Sequence, residues 1–333
     1  MNTSSSSPAT SSTAEARLLL LDKHAVEALL TPEAVLPAVR EAFLLHAARE
    51  GRVFPLVREA LSTGGVFGIK SGDVPSQGLL GFKAAGFWPA NRALGGEPHQ
   101  ATIMLISPET GRPLCIIDGN AVTTMRTGAA GALGLMQLAR PDSRRLTIFG
   151  IGVQARIQLR FALDSMPSLQ QVRYAGSRGE RDAGFEQAFA ARCDIAPAAD
   201  RNQAVADSDI VITATPGKGA LFDADAVQPG THLNCVGADT KGKRELPQEL
   251  LQRARICVDD AAQARQVGEM QWAPELPVVE LGDLLGGQAR LERADDDITL
   301  FDMTGLALQD LTVARRLYRQ ALEDGQPGVA WPW

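Results

Sequence analysis

Lys83, Arg126 and Arg58 each stand where a lone charge is poorly solvated. Lys83 lies in Gly81-Phe82-Lys83-Ala84-Ala85-Gly86, Arg126 in a stretch dominated by alanine and glycine, and Arg58 directly after Pro55-Leu56-Val57. Charges are rarely buried without a partner, so cations that converge imply an anionic ligand, and a substrate carboxylate is the natural one. Lys70, in Phe67-Gly68-Ile69-Lys70-Ser71-Gly72, is a further candidate. The plainer reading for each is an exposed strand residue or a salt bridge to a nearby acid. Of the four histidines, His24 and His46 fall in helical stretches and His232 opens a strand; only His99, in Glu97-Pro98-His99-Gln100, is expected on a loop.

A second constellation is made of backbone. The apolar run Leu146 to Phe149 leads into Gly150-Ile151-Gly152-Val153-Gln154-Ala155, and a helical stretch continues from Arg156 to Leu163. This is G-x-G-x-x-A with a strand before and a helix after, the context that makes the pattern a dinucleotide fingerprint. The first glycine permits the sharp turn, the second lets backbone N–H groups approach a pyrophosphate at the positive helix end, and Ala155 keeps helix and strand close. The bland alternative is a tight turn that binds nothing. The next strand, Gln171 to Tyr174, ends in Ala175-Gly176-Ser177-Arg178, somewhat past the usual ~20-residue offset of a ribose-reading acid. No carboxylate stands there, and Ser177 with Arg178 could pair with a 2′-phosphate, so NADP(H) is favoured with NAD(H) as the alternative.

Asp239 completes the chemistry. It follows the run His232 to Val236 in Gly237-Ala238-Asp239-Thr240-Lys241-Gly242-Lys243, at the carboxyl end of a parallel strand, where doubly wound sheets place their ligands. Beside a nicotinamide, with its pKa raised by desolvation, it could give a proton to a C=N nitrogen or take one away. As a lone Asp it reads equally as a helix or turn cap.

Elements must hold these residues. Thr31-Pro32-Glu33 offers a helix start, with Val35, Val39 and Phe43 at helical spacing up to Gly51. Val66 to Ile69, Leu79 to Phe87, Thr102 to Ile106 and Leu114 to Ile117 read as strands of a mainly antiparallel sheet, the last two joined as a hairpin through Ser107-Pro108-Glu109-Thr110-Gly111. Asn120 to Ala139 predicts a helix nearly free of side chains, able to lie close to another backbone or a cofactor. Beyond it, strand candidates at Leu146 to Phe149, Gln171 to Tyr174, Ile210 to Ala214, His232 to Val236, Arg255 to Val258 and Ile298 to Phe301 alternate with helical stretches, the rhythm of a parallel sheet with crossover helices. Leu306 to Glu323 predicts a final helix.

The whole composition agrees. The 333 residues carry 33 Lys+Arg against 39 Asp+Glu, with 45% apolar and 22% charged, which is enough for two cores and lacks the basic excess of nucleic-acid binders. The longest apolar candidate, Leu18 to Leu21, is far short of a bilayer span. Met1 to Thr13 is Ser/Thr-rich without a basic start or apolar core, so no secretory signal is expected. Cys115, Cys193, Cys235 and Cys257 contain no Cys-x-x-Cys pair and are expected as reduced, buried thiols. A soluble cytoplasmic protein without a metal site follows as the expectation.

Several segments together resemble the ornithine cyclodeaminase/mu-crystallin family: Gly81-Phe82-Lys83 with Trp88-Pro89-Ala90-Asn91; Met125-Arg126-Thr127-Gly128-Ala129-Ala130; the Gly150 to Ala155 loop; Val236-Gly237-Ala238-Asp239 with Glu245; and Phe301-Asp302-Met303-Thr304-Gly305-Leu306-Ala307-Leu308-Gln309-Asp310. The resemblance runs from about Glu33 to Glu323. It implies an α/β fold in which a Rossmann domain with a doubly wound parallel sheet (129–304) is inserted into an α+β substrate and dimerisation domain (17–128 plus 305–333), after a disordered tail (1–16). It further implies that Arg58, Lys83 and Arg126 hold the substrate α-carboxylate, that Asp239 is the catalytic acid/base beside Lys83, and that the protein is a homodimer.

The expected cofactor contacts are Thr127, Gly150, Gly152, Val153, Gln154, Ala155, Ser177, Arg178, Thr215, Val236 and Gly237; Lys70 and His99 join the expected substrate contacts. The family's cyclodeaminases use a carboxylate in the strand before the lysine, whereas Val66 to Gly72 has no acid and offers Lys70, which suits a second substrate carboxylate. The expectation is an NAD(P)H-dependent imine reductase, taking iminosuccinate to aspartate or a cyclic ketimine such as Δ1-pyrroline-2-carboxylate to proline. The rivals are an ornithine cyclodeaminase or an alanine-dehydrogenase-like enzyme, and a non-catalytic, crystallin-like NADPH-binding protein.

Overall fold

The computed structural model describes residues 17–177, 179, 181–326 and 328–331. The expected tail, 1–16, and Arg178 lie outside these. The chain opens with β1 (Arg17–Leu21), α1 (Lys23–Leu29) and α2 (Pro32–Ala47). It continues through β2 (Arg52–Val53), β3 (Val57–Ala60), β4 (Val66–Val74), β5 (Leu79–Phe87), β6 (His99–Ile106) and β7 (Pro113–Asp118) into the long helix α3 (Gly119–Leu138). A repeating unit follows: β8 (Arg145–Phe149), α4 (Val153–Ser165), β9 (Gln171–Ala175), α5 (Ala183–Phe189), β10 (Asp194–Pro197), α6 (Arg201–Ala206), β11 (Ile210–Thr213) and β12 (His232–Cys235). Then come α7 (Gln248–Leu251), β13 (Ala254–Val258), α8 (Ala261–Val267), β14 (Val279–Glu280), α9 (Leu281–Gly286), β15 (Ile298–Asp302), α10 (Ala307–Glu323) and β16 (Val329–Ala330).

Two sheets result. The first runs β16-β1-β7-β6-β5-β4-β2, with β3 also on β4, and is antiparallel except where β1 lies parallel to β7. The predicted hairpin is present: Ser107 N–H donates to Arg112 O at 2.9 Å and Gly111 N–H to Ser107 O at 2.8 Å. The start of β6 corrects one expectation. His99 opens this strand opposite Phe87 rather than lying on a loop, because pairing with β5 extends the strand three residues ahead of its apolar run. β1 was legible only as an apolar run, since its partner β7 is remote in sequence.

The second sheet runs β10-β9-β8-β11-β12-β15-β13-β14, parallel throughout. Its order reverses between β8 and β11, the switch point at which doubly wound sheets open a crevice. This is the mixed α/β, Rossmann architecture the strand–helix rhythm predicts. The slim helix explains itself by contact. A Cβ on Gly131 would fall 2.0 Å from Gln158 Oε1 of α4, and one on Gly134 would fall 2.4 Å from the Phe301 ring of β15. Larger residues would pry α3 off the parallel sheet.

α2 begins as predicted, Thr31 Oγ1 accepting from Ala34 N–H with Pro32 in the first turn. Its last turn carries His46, whose Nε2 stands 3.0 Å from Asp260 Oδ2 and 3.6 Å from Glu280 Oε2. Burial opposes a charge on His46, but the hydrogen bond and charge of Asp260, joined by Glu280, outweigh it and raise its pKa. The pin ties α2 to the start of α8 and to β14 of the second sheet. Cys115, Cys235 and Cys257 are buried free thiols and Cys193 is half-buried; burial pushes Cys115 up to about 12. No helix among the described residues is long and apolar enough to cross a membrane.

Candidate active site

β5 directs Lys83 and α3 directs Arg126 toward the first turn of α10, where one carboxylate meets both. Asp310 Oδ2 is 2.7 Å from Lys83 Nζ and Asp310 Oδ1 is 3.1 Å from Arg126 Nε. Arg126 Nη1 also donates to Gln309 Oε1 at 3.1 Å, and Lys83 Nζ to Thr123 Oγ1 at 3.2 Å. Lys83 is 3% exposed and Arg126 7%, so two buried cations share one buried anion. α10 can present Asp310 there because Leu308 and Leu311, also fully buried, seat the helix on the sheet.

Lys70 of β4 adds a third charge. Its ammonium donates to Thr304 O at 2.7 Å and Gly305 O at 2.6 Å, leaving one N–H without a partner among the described residues. Those carbonyls are aimed by Asp259, which accepts from Thr304 N–H at 2.8 Å, Thr304 Oγ1 at 2.7 Å and Gly305 N–H. Gly305 has φ +81°, and a Cβ on it would lie 2.6 Å from the Arg126 guanidinium; only glycine serves here. Burial, only partly offset by Asp310, pulls Lys83 down to about 7. Burial and the charge of Arg126 bring Lys70 to about 8. Burial opposes ionisation of Asp310, but Lys83 and Arg126 outweigh it and lower its pKa.

Asp239 sits four residues past β12 with 39% of its side chain exposed. Its Oδ1 takes Lys243 Nζ at 2.6 Å and the Thr240 hydroxyl at 3.1 Å. Arg58 of β3 donates from Nη2 to Thr240 Oγ1 at 2.7 Å and stands 3.7 Å from Asp239 Oδ2. The expected rise in pKa is corrected: burial does push it upward, but Lys243 and Arg58 outweigh burial and hold the carboxyl well below the usual range. Asp239 is a carboxylate at neutral pH. His99 is pushed down to about 4 by burial and by the charges of Lys83 and Arg126, which makes it neutral.

The predicted residues therefore form one electrostatic neighbourhood with two poles. Lys83, Arg126 and Asp310 make the dry pole; Asp239, Lys243 and Arg58 make the wetter one. Lys70 feels both Asp239 and Asp310, and His99 feels Lys83, Arg126 and Asp239. No hydrogen bond joins Asp239 to Lys83 or Arg126 among the described residues. Sequence reasoning missed Asp310, Gln309, Thr123 and Lys243 as partners. Gln309-Asp310 closes a quoted C-terminal segment, and an acid beside Leu308 and Leu311 on a packed helix was the available signal.

The glycine-rich turn faces the switch point. Gly150 has φ +111°, and a Cβ there would lie 2.4 Å from Ala214 O, whereas a Cβ on Gly152 would meet nothing within 4 Å. Gly152 precedes α4 without a side-chain cap, and the space beside Gly152 is open, so the uncapped N–H groups of the first turn of α4 fit an anionic diphosphate. Ala155 is buried against the sheet, and Gln154 Oε1 is buried without a hydrogen-bond partner among the described residues. Glu245 braces the neighbouring loops, accepting from Thr213 Oγ1 at 2.7 Å, from Thr215 N–H and Oγ1 at 2.6 Å each, and from Gly237 N–H at 2.8 Å. Val236 lies between that bracing and β12. Thr127 is buried in α3, its hydroxyl donating to Thr123 O at 2.6 Å. Ser177 follows β9 as predicted, and Arg201 Nη2 donates to the adjacent Gly176 O at 3.4 Å.

The family model for the ornithine cyclodeaminase/mu-crystallin family matches residues 17–325. The chain belongs to that family. It is 33% identical over 326 residues to an iminosuccinate reductase of Paracoccus denitrificans (strain Pd 1222), spanning 92% of this chain and 98% of that protein. An archaeal alanine dehydrogenase, solved as a dimer with bound NAD, superimposes with a TM-score of 0.87 at 31% identity, covering 95% of this chain and 99% of that one. The Δ1-pyrroline-2-carboxylate reductase of Thermococcus litoralis, solved with NADH and L-proline, gives 0.85 at 27% identity, covering 92% and 98%. This member of the family is an oxidoreductase of the nicotinamide-dependent kind that acts on C–N bonds.

Proposed function

We propose that the protein is an NAD(P)H-dependent reductase of small 2-imino acids. The observation that carries this is the excess of positive charge at the dry pole, where buried Lys83 and Arg126 share the one carboxylate of Asp310 and half-buried Lys70 adds its charge. Such an excess is costly without an anion to meet it. Arg58, Lys83 and Arg126 bind the α-carboxylate. A bound reduced nicotinamide would supply the hydride that reaches the α-carbon. As the C–H bond forms, the C=N π bond opens onto nitrogen, which takes a proton. Lys83, poised near neutrality, gives that proton, while Asp239 accepts a hydrogen bond from the iminium N–H and stabilises its charge.

Lys70 keeps one N–H for a second carboxylate, which favours iminosuccinate going to aspartate, with Δ1-pyrroline-2-carboxylate going to proline next. The only acid of β4, Asp73, is spent on Arg52 at 2.7 Å, so nothing in that strand suits the second amine of ornithine. Gly150, Gly152, Val153, Gln154 and Ala155 would cradle the cofactor diphosphate, and Thr127, Thr215, Val236 and Gly237 would line the rest of its site. Ser177 in place of an acid favours NADP(H), while the solved relatives hold NAD or NADH. The division into 17–128 plus 305–333 and 129–304 passes within α3, which touches both sheets. A homodimer is proposed by likeness to the archaeal dimer.

The test is NADPH and NADH oxidation over oxaloacetate, pyruvate and glyoxylate, each with ammonia or methylamine, and over cyclic imines. Nicotinamide should be consumed only when an imine is present, fastest from oxaloacetate with ammonia. Ammonia released from ornithine without net nicotinamide change would identify a cyclodeaminase instead. Tight NADPH binding without turnover on any imine would identify a binding protein.

A further inference from the structure

We propose that Lys243 is a positioning residue of the reduction step: it grips one oxygen of Asp239 so that the other is presented to the substrate nitrogen. The inference rests on Asp239 being the acceptor for the iminium N–H. The two carboxylate oxygens are unlike. Oδ1 is occupied by Lys243 Nζ at 2.6 Å and by the Thr240 hydroxyl at 3.1 Å. Oδ2 accepts no hydrogen bond from any described residue, with Arg58 Nη2 at 3.7 Å. An incoming N–H therefore finds one acceptor, in one place.

The backbone delivers Lys243 to this post. Trp272 Nε1 donates to Lys243 O at 3.0 Å and Gln271 Nε2 to the same oxygen at 3.2 Å, while Gln271 Oε1 accepts from Gly242 N–H at 2.6 Å. The Trp272 ring is in turn covered by the Arg244 guanidinium, 5.4 Å from its centroid. This clamp holds the turn that brings a side chain four residues onward back to Asp239. The same turn leads into Glu245, which braces Thr215 and Gly237, so the ion pair hangs on a fixed piece of backbone.

The charged groups facing Asp239 are Lys243 on its own loop, Arg58 from β3 and Lys70 from β4, with neutral His99 of β6 also within its field. Lys243 is the largest of the opposing charges, so its removal lets Asp239 take a proton more readily and frees Oδ1 to rotate. Lys243 is a third exposed, and its replacement leaves no buried charge behind.

The experiment compares wild type, Lys243→Met and Lys243→Arg on whichever imine the substrate panel identifies. It reads kcat and KM separately and, beside them, the NAD(P)H dissociation constant by nicotinamide fluorescence. Lys243→Met should lose about tenfold to a hundredfold in kcat/KM, mostly in kcat. Cofactor binding should be unchanged, and Lys243→Arg should restore kcat. Lys243→Gln, which keeps an N–H donor without the charge, should lose less, and it carries the test if the Met variant does not fold. An unmoved kcat in these variants overturns the proposal, as does a loss confined to NAD(P)H affinity, which would make Lys243 a cofactor contact. A wild type that reduces no imine overturns the reaction assignment, and the proposal with it; an active wild type whose variants keep its kcat overturns the proposal alone.

Discussion

The cation cluster and the glycine-rich turn are built on opposite principles. Around Lys83 and Arg126 the working parts are side-chain charges, each fixed by a partner from a distant element and shielded from water. At Gly150 to Ala155 the working parts are backbone N–H groups and the absence of side chains, arranged by six consecutive residues. A charge site is therefore fragile to loss of any one partner. A backbone site is sensitive to added bulk at a few positions. The difference teaches which substitutions disturb fold and function together and which separate them.

The largest effect is expected from Asp310→Ala, which leaves Lys83 and Arg126 buried without their shared anion. Breaking such a pair costs about 3–5 kcal/mol, so thermal unfolding should shift strongly downward and imine reduction should fall below detection. A variant of wild-type stability and rate would break the comparison outright. Next comes Lys83→Met. With a pKa of about 7, Lys83 in the wild type carries its proton below neutrality and loses it above, so reduction should decline as pH rises through about 7. The variant should lose that limb along with roughly 10²–10⁴ in kcat/KM; a retained limb would assign the proton to another group.

At the turn, Gly152→Ala meets no protein atom and should leave the melting temperature unchanged while weakening NAD(P)H binding by about tenfold, or 1.4 kcal/mol. Gly150→Ala, forced to φ +111° against Ala214 O, should lose both stability and binding. Calorimetry and fluorescence titration distinguish the two, and equal behaviour would mean that Gly152 does not face the cofactor. The smallest effect is His46→Gln. Because the folded pKa of His46 is raised above its unfolded value, its contribution is fully present below about pH 6.5 and is lost as pH rises through the folded pKa. The variant should be less stable than wild type by about 1 kcal/mol at pH 6, with the gap closing in alkaline solution. A gap that widens with pH would show the imidazole to be neutral in its pin.

Legibility followed the range of the interactions. The turn at Gly150 was readable because its φ demand and its strand and helix are contiguous. The slimness of α3 was readable too, although Gln158 and Phe301, which require it, were not nameable. Lys83 and Arg126 could be singled out from apolar surroundings, but Asp310 lies 184 residues beyond Arg126 and carries no local mark. Asp239 shows the limit most clearly. Its place after a parallel strand was apparent, yet the direction of its pKa was missed because Lys243 reaches it only through a turn clamped by Gln271 and Trp272. His99 was misplaced on a loop for a similar reason, since cross-strand hydrogen bonds with β5 decide where β6 begins.

The amino-acid order alone determined the strand–helix rhythm, the tight turn at Gly150 and the identity of the cations, because each depends on φ preference, periodicity or hydration within a few residues. Only the tertiary structure decided which acid neutralises which base, how far each proton affinity moves and which oxygen of Asp239 stays free. Those depend on distance and on exclusion of water, and neither exists until remote segments pack.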